Sequence, residues 1–246
     1  MKSSFKRSDI FKYMIIALAS YLSKQVMDHL LDSADDKNIE QVANDQKQEE
    51  LKKQVISGTI QGHDFVDLGL SVKWATCNVG SENPWDYGDY FAWGEKESKD
   101  IYKKKKSSTY DVSYLELKRR GVVGETGNLT PYNDAAFVNW GSEWRMPTHD
   151  EQRELFENCK YSWTKFNGVY GMKFTGKNGN FVFLPASGYR CDGELNYVDY
   201  YGYYWSSSFH EYRCNCARNL YFYEKGVYWN YGSSRRQGYP VRPVSE

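Results

Sequence analysis

The residues best suited to hold a metal or act as nucleophiles are His29, His63, His149 and His210, with Cys77, Cys159, Cys191, Cys214 and Cys216. Zinc and thiol chemistry needs several such groups at short, recurring spacings. Only His210, Glu211, Cys214 and Cys216 come close together, and on a strand the two cysteines would face the same side. No C-x-x-C occurs, and no histidine stands at a recognised ligand spacing from a second ligand type. The G-x-S-x-G, H-E-x-x-H, Walker and dinucleotide motifs are absent as well. The chain is therefore read as non-catalytic, with no catalytic residue, metal ligand or cofactor assigned. Five cysteines cannot all pair within one chain, so no disulfide framework is implied.

Charge gives a second candidate chemistry. Lys and Arg balance Asp and Glu at 32 each, so no net field draws the molecule to nucleic acid or an anionic membrane. Locally, residues 96–120 carry nine basic against four acidic side chains, including Lys103 to Lys106, with Tyr102, Tyr110 and Tyr114 interleaved. No nucleic-acid fold motif accompanies them, and the segment is read as a solvated insertion loop.

The third chemistry is aromatic. Of 22 tyrosines, 11 fall between Tyr197 and Tyr239, with Trp205, Trp229, Phe209 and Phe222 among them. A core does not easily absorb so many phenols, because each buried hydroxyl needs a partner. Tyr, Ser, Gly, Asn and Arg are also the types favoured in antibody binding loops, where Tyr brings large amphipathic area at little rotamer entropy. The expected ligand-binding residues are Phe209, His210, Tyr212, Arg213, Tyr221, Tyr223, Tyr228, Tyr231, Ser233 and Arg235. The competing reading is an aromatic ladder that only stabilises a sheet.

Several short elements must position these residues. Alternating runs predict strands at Asp64–Leu68, Val72–Val79, Tyr161–Phe166, Val169–Thr175, Phe181–Leu184, Tyr203–Ser207, Asn219–Tyr223, Val227–Asn230 and Tyr239–Arg242. Asn167-Gly168 and Asn178-Gly179 predict two hairpins. Period two puts Leu220 and Phe222 on one side of their strand, and Asn219, Tyr221 and Tyr223 on the other. Helices are expected over Asn133–Trp140 and Asp150–Cys159, the second opened by the capping-box sequence Thr148-x-x-Glu151. Runs of strands with two helices predict an α+β domain rather than a parallel βαβ sheet.

The strings DFVDLGLSVKWATCNVG, YGDYFAWGE, DAAFVNWGSEWRMPTHDE, FLPASGYR, YYWSSS and PVRPV, in that order over Gly62 to Val244, resemble the paralogous domain abundant in Bacteroidetes and Fibrobacter proteins. That resemblance implies a C-type-lectin-like fold, in the branch that holds formylglycine-generating enzymes and the variable proteins of diversity-generating retroelements. It implies that the strand near Phe65 pairs with the one near Val241. Trp144 is read as a core aromatic, and Arg145 and Arg242 as interior anchors for carbonyls or a carboxylate. The cysteine context of the formylglycine-generating enzymes is not recognisable, so an enzyme of that type or a thiol-dependent relative is the alternative function. Calcium-binding lectins of this fold carry Glu-Pro-Asn or Gln-Pro-Asp and then Trp-Asn-Asp. This chain has Glu82-Asn83-Pro84 and Trp229-Asn230-Tyr231, and no calcium site is expected. The likeness to retroelement proteins further implies a diversified face, since Phe209, His210, Tyr212, Arg213, Cys214, Asn215 and Cys216 are all reachable from asparagine codons by adenine mutagenesis, and only Glu211 in that stretch is not.

The first 57 residues differ in texture. Phe11, Ile15, Leu18, Leu22, Val26 and Leu30 lie on one face of a predicted amphipathic helix, followed by a polar connector. That face needs cover from the domain, a copy of itself or a larger assembly, so attachment is its expected role. The run Tyr13–Leu22 is too short to span a membrane. The basic start and Ala17-Leu-Ala19 sketch a secretory signal, against which stand Asp9 and the short apolar core. The chain is thus divided into 1–57, helix and connector, and 58–246, a ligand-binding domain. Its expected partner is a protein or glycan, and its expected place a bacterial surface or phage particle.

Overall fold

The computed structural model describes residues 56–246, and the expected N-terminal helix lies outside them. Three short strands come first: β1 (Gly58–Ile60), β2 (His63–Val66) and β3 (Lys73–Ala75). Helices α1 (Tyr114–Arg119), α2 (Ala135–Trp140) and α3 (His149–Asn158) follow. The strands β4 (Lys160–Phe166), β5 (Val169–Thr175), β6 (Phe181–Pro185), β7 (Tyr189–Cys191) and β8 (Glu194–Asn196) come next. The chain closes with β9 (Tyr201–Phe209), β10 (Cys216–Tyr223), β11 (Gly226–Ser234) and β12 (Val244–Ser245). Among the described residues these strands form four sheets, ordered β1-β2-β3-β12, β11-β10-β9, β4-β5-β6 and β7-β8. Every strand pairing is antiparallel, and the domain is α+β.

Local sequence explains much of this. Asn167 and Gly168 both take positive φ, 47° and 86°, the conformation of a two-residue turn between β4 and β5. The next hairpin turns differently. Gly179 alone has positive φ there, and Asn178 accepts from the Asn180 backbone while donating to the Asp67 carbonyl at 2.9 Å. The Thr148 hydroxyl accepts from the Glu151 amide, and the Glu151 carboxylate accepts from the Thr148 amide, completing the expected capping box at the start of α3. Helix α1 lies inside the basic segment and escaped the sequence reading. It is a six-residue helix with one buried side chain, Leu117, too short to show periodicity.

Among the described residues, beside a small cluster of Tyr90, Ala92 and Tyr102, two large apolar cores hold the sheets and helices together. One gathers Phe91, Trp93, Trp144, Trp205, Phe209 and Tyr239, and the other Trp74, Leu155, Phe174, Leu184, Leu220 and Phe222. The β9–β10–β11 sheet contributes to both. Arg242 is almost wholly buried, donating from Nε to Asn78 at 2.8 Å and from Nη1 to the carbonyls of Ala75 and Thr76. Arg145 meets the Glu151 carboxylate with both terminal nitrogens, at 2.8 and 2.7 Å. Arg242 is thus the interior anchor expected, whereas Arg145 holds its carboxylate at a partly exposed position, where it also reaches Glu246.

The chain end departs from expectation. The strand read at Tyr239–Arg242 is instead a bridge at Phe91–Tyr239, and the last strand is Val244–Ser245. Pro240 and Pro243 lack the amides a regular ladder requires. The last strand pairs with Lys73–Trp74, not with the strand of Phe65, although all three share one sheet. Val241 instead accepts from the Val79 amide.

Candidate functional site: a tyrosine face on the β9–β10–β11 sheet

Strand register brings the tyrosines together. Tyr203 stands opposite Tyr221, Tyr201 opposite Tyr223, and Tyr221 opposite Tyr228. Their alternate neighbours Gly202, Tyr204, Leu220, Phe222 and Val227 point into the core. A bulge on β11 between the Asn219 and Tyr221 pairings returns Tyr231 to the same array, 5.0 Å from Tyr221 between ring centres. Tyr203 stacks on Tyr221 at 4.8 Å and on Tyr239 at 4.9 Å, and Tyr239 stacks on Trp205 at 4.3 Å. Tyr189 and Tyr197 extend the array beyond β9. The rings thus run unbroken from the core to solvent.

Exposure sorts them by role. Tyr239 is buried, Tyr201, Tyr203, Tyr221 and Tyr223 are half-buried, and Tyr228 (46 %), Tyr231 (44 %) and Tyr197 (56 %) are exposed. Burial pushes the Tyr221 phenol up to about 12, with neighbouring phenols adding to it, and raises Tyr203 by the same causes. These hydroxyls stay protonated at neutral pH, so this part of the face offers uncharged donors over apolar rings. Ladder and binding surface are compatible here: the inner rings hold the outer ones in place.

The ten expected ligand contacts divide accordingly. Tyr221, Tyr223, Tyr228 and Tyr231 lie on the face, while Tyr212 and Arg213 project from the exposed loop joining β9 to β10. Phe209, His210, Ser233 and Arg235 are corrected, because all four are buried. Phe209 packs against Tyr114 at 4.8 Å in the first core. His210 Nδ1 accepts from the Tyr212 amide at 3.3 Å, shaping the turn. Ser233 sits within the β10–β11 ladder opposite Ala217. Arg235 donates from Nη2 to the carbonyls of Val112 (2.8 Å) and Cys214 (2.7 Å), and its guanidinium lies 5.3 Å from the Phe209 ring centre. Burial draws its pKa down to about 10, still far above neutrality, so it remains a cation. Asn219 shares a side with Tyr221, as alternation predicts, but is fully buried and adds nothing to the exposed face. Tyr197, Tyr201 and Tyr203 were missed, although the Tyr-x-Tyr spacing of 201 and 203 was visible on a strand.

The other candidates fare differently. All five cysteines are free, and burial raises Cys216, which leaves its thiol protonated and weakly nucleophilic. Among the described residues no three His, Cys, Asp or Glu side chains group as a metal site, and no helix is long and apolar enough to cross a membrane. In the basic segment, Arg119 and Arg120 both pair with Glu116, and Lys118 pairs with Glu125. Two carboxylates thus offset part of the charge of these three cations, and Lys103–Lys106 are exposed.

A separate polar cleft of about 670 Å³ opens at the start of α3, lined by His149, Asp150, Ser208, Asn128 and Arg218 among others. Burial, then the Arg218 charge, pushes His149 down to about 4. Ser208 donates to Asn128 at 2.6 Å and accepts from the His149 amide, so its hydroxyl proton is directed to Asn128 rather than to an imidazole base. The cleft is larger than the hollow of about 290 Å³ beside Tyr201 and Tyr223, but its groups form no nucleophile–base pair.

Compared with known proteins, the chain matches no family model, no curated protein and no solved structure. Geometry and chemistry therefore carry the functional argument.

Proposed function

We propose that this chain is a non-catalytic binding protein of C-type-lectin-like fold that captures a protein or glycan ligand through the tyrosine face. The observation that carries this reading is the continuous ring array, rigid at Tyr203, Tyr221 and Tyr239 and exposed at Tyr197, Tyr228 and Tyr231. Preordered aromatics lose little entropy on binding and offer broad contact area, which is what hot spots use. Tyr212, at 84 % exposure, and Arg213 extend the surface onto a loop whose base is clamped by Arg235. The fold assignment is supported by early and late strands sharing the β1-β2-β3-β12 sheet. Such a protein acts as an adhesin or receptor-binding subunit at a bacterial or phage surface, attached through its first 57 residues.

The β9–β10 loop also fits a diversified region. Glu211, Tyr212, Arg213 and Cys214 are all exposed, while the flanking Phe209 and Ala217 are core residues. Exposed positions accept substitution and packed ones do not. The proposal is tested by screening the wild-type chain and Tyr228→Ala/Tyr231→Ala against immobilised glycans and surface proteins. Capture by the wild type alone is the expected result. Equal capture by both would assign binding elsewhere.

A further inference from the structure

Where β9 begins and β10 finishes, at the end of the sheet away from the β9–β10 loop, the tyrosine face runs into a cleft of about 290 Å³, walled by Trp163, Tyr170, Tyr200, Tyr201 and Tyr223. Two carboxylates, Asp199 and Glu224, complete the lining, and no basic side chain belongs to it. We infer that this cleft binds an alkylammonium group. The inference deepens the binding role proposed above by naming the chemistry of one part of the ligand.

Three observations carry it. The cleft is lined almost wholly by aromatic rings, whose faces are presented at more than one angle: Tyr201 and Tyr223 meet at 66° with centres 6.1 Å apart, while Trp163 and Tyr170 lie parallel at 5.9 Å. Ring faces lining a small cleft attract a cation through their quadrupoles. Tyr170 shows that such a ring takes a cation here, since Lys165 Nζ lies 4.9 Å from its centre, and the ligand cation is therefore assigned to the other four rings. Lastly, Asp199 is held in place. Its Oδ1 accepts from the Tyr87 hydroxyl and the Tyr170 amide, each at 3.2 Å, and its own amide donates to the Ala186 carbonyl. Tyr197 and Asp199 both take positive φ, 58° and 63°, in the turn that carries this carboxylate. Left-handed backbone at a tyrosine is uncommon and is maintained here beside the cleft.

The volume suits a single ammonium head such as a methylated lysine side chain, below the usual size of a pocket for a larger ligand. Two carboxylates disfavour an anion next to the cation. A phosphocholine group is therefore expected to bind more weakly than choline, and a free or peptide-borne trimethyllysine about as well as choline.

The test titrates the full-length chain with choline, trimethyllysine, phosphocholine and the neutral choline isostere 3,3-dimethylbutan-1-ol, read by ligand-observed NMR. For so small a ligand the expected dissociation constant for choline is roughly 1 mM. Preference for choline over the isostere is expected to be about tenfold, within the range of a partly desolvated cation–π contact. Tyr200→Ala and Glu224→Gln replace exposed side chains, so both variants keep the wild-type near-ultraviolet spectrum while losing most of that preference. Equal binding of choline and isostere would overturn the inference, as would no binding at about ten times the expected constant. A preference unchanged in both variants, or tighter binding of phosphocholine than of choline, would overturn it equally. Ligand capture lost on Tyr228→Ala/Tyr231→Ala alongside a failed choline titration would leave the binding face standing and remove only the cation.

Discussion

Replacing Arg235 by alanine separates a structural arginine from a ligand contact. The guanidinium is fully buried, joins the end of β11 to the carbonyls of Val112 and Cys214, and lies over Phe209 and, at 5.9 Å, Trp93. Removing it leaves two carbonyls without their partner, at about 1–3 kcal/mol each, and opens space against two aromatic rings. Working the other way, Nε and Nη1 have no partner in the native state, so their desolvation penalty disappears. Net destabilisation is expected near the low end of the sum, about 3 kcal/mol. For a domain of this size that lowers Tm by about 6–12 °C. Differential scanning fluorimetry on the wild type and the variant checks it, with ligand capture measured well below both transitions. Unchanged Tm with abolished capture would refute the reasoning and return Arg235 to the binding surface. A raised Tm would show that the desolvation penalty dominates.

Protonation of His149 is expected to destabilise the fold in acid. Its folded pKa of about 4 lies below the ordinary value, so the unfolded chain binds more protons between pH 6.5 and 4. Its contribution is fully present above pH 6.5 and is lost as pH falls to 4; denaturant titrations of wild type and His149→Gln should therefore converge or cross over that window, and parallel curves would contradict it. Deleting residues 1–57 should leave a folded domain with Tm within a few degrees of the full chain, whereas cooperative unfolding at much lower temperature would make that segment part of the core. If the β9–β10 loop is diversified, flanking DNA should hold a near-repeat of the C-terminal coding region that differs only at adenines, beside a reverse transcriptase. Its absence would favour an adhesin with one fixed ligand.

Where one strand or turn determines the outcome, the amino-acid pattern was enough. The Asn167-Gly168 turn, the Thr148–Glu151 cap and the opposition of Leu220 and Phe222 to Tyr221 and Tyr223 all follow from local stereochemistry. What a distant segment covers was not legible. Arg235 reads as a surface residue until Val112 arrives from 123 positions away to accept its hydrogen bond. Asn219, placed by alternation on the side of Tyr221, is fully buried all the same, which the period of one strand does not show. The bulge that returns Tyr231 to the face likewise depends on pairing between strands, not on any one strand's pattern. Of the candidate site, the β10–β11 tyrosines were legible, while the contributions of β7, the turn before β9, and β9 itself were not.

Hydroxyl-radical footprinting of the captured complex tests the central claim most directly, because it reads side-chain protection in the wild-type sequence, without a substitution. Tyr197, Tyr228 and Tyr231 should lose reactivity on ligand binding, while Tyr132, more exposed at 80 % and absent from the ring array, serves as the unchanged reference. Protection confined to the cleft around Tyr114, His149 and Phe209, with the three face tyrosines as reactive as in the free protein, would contradict the account.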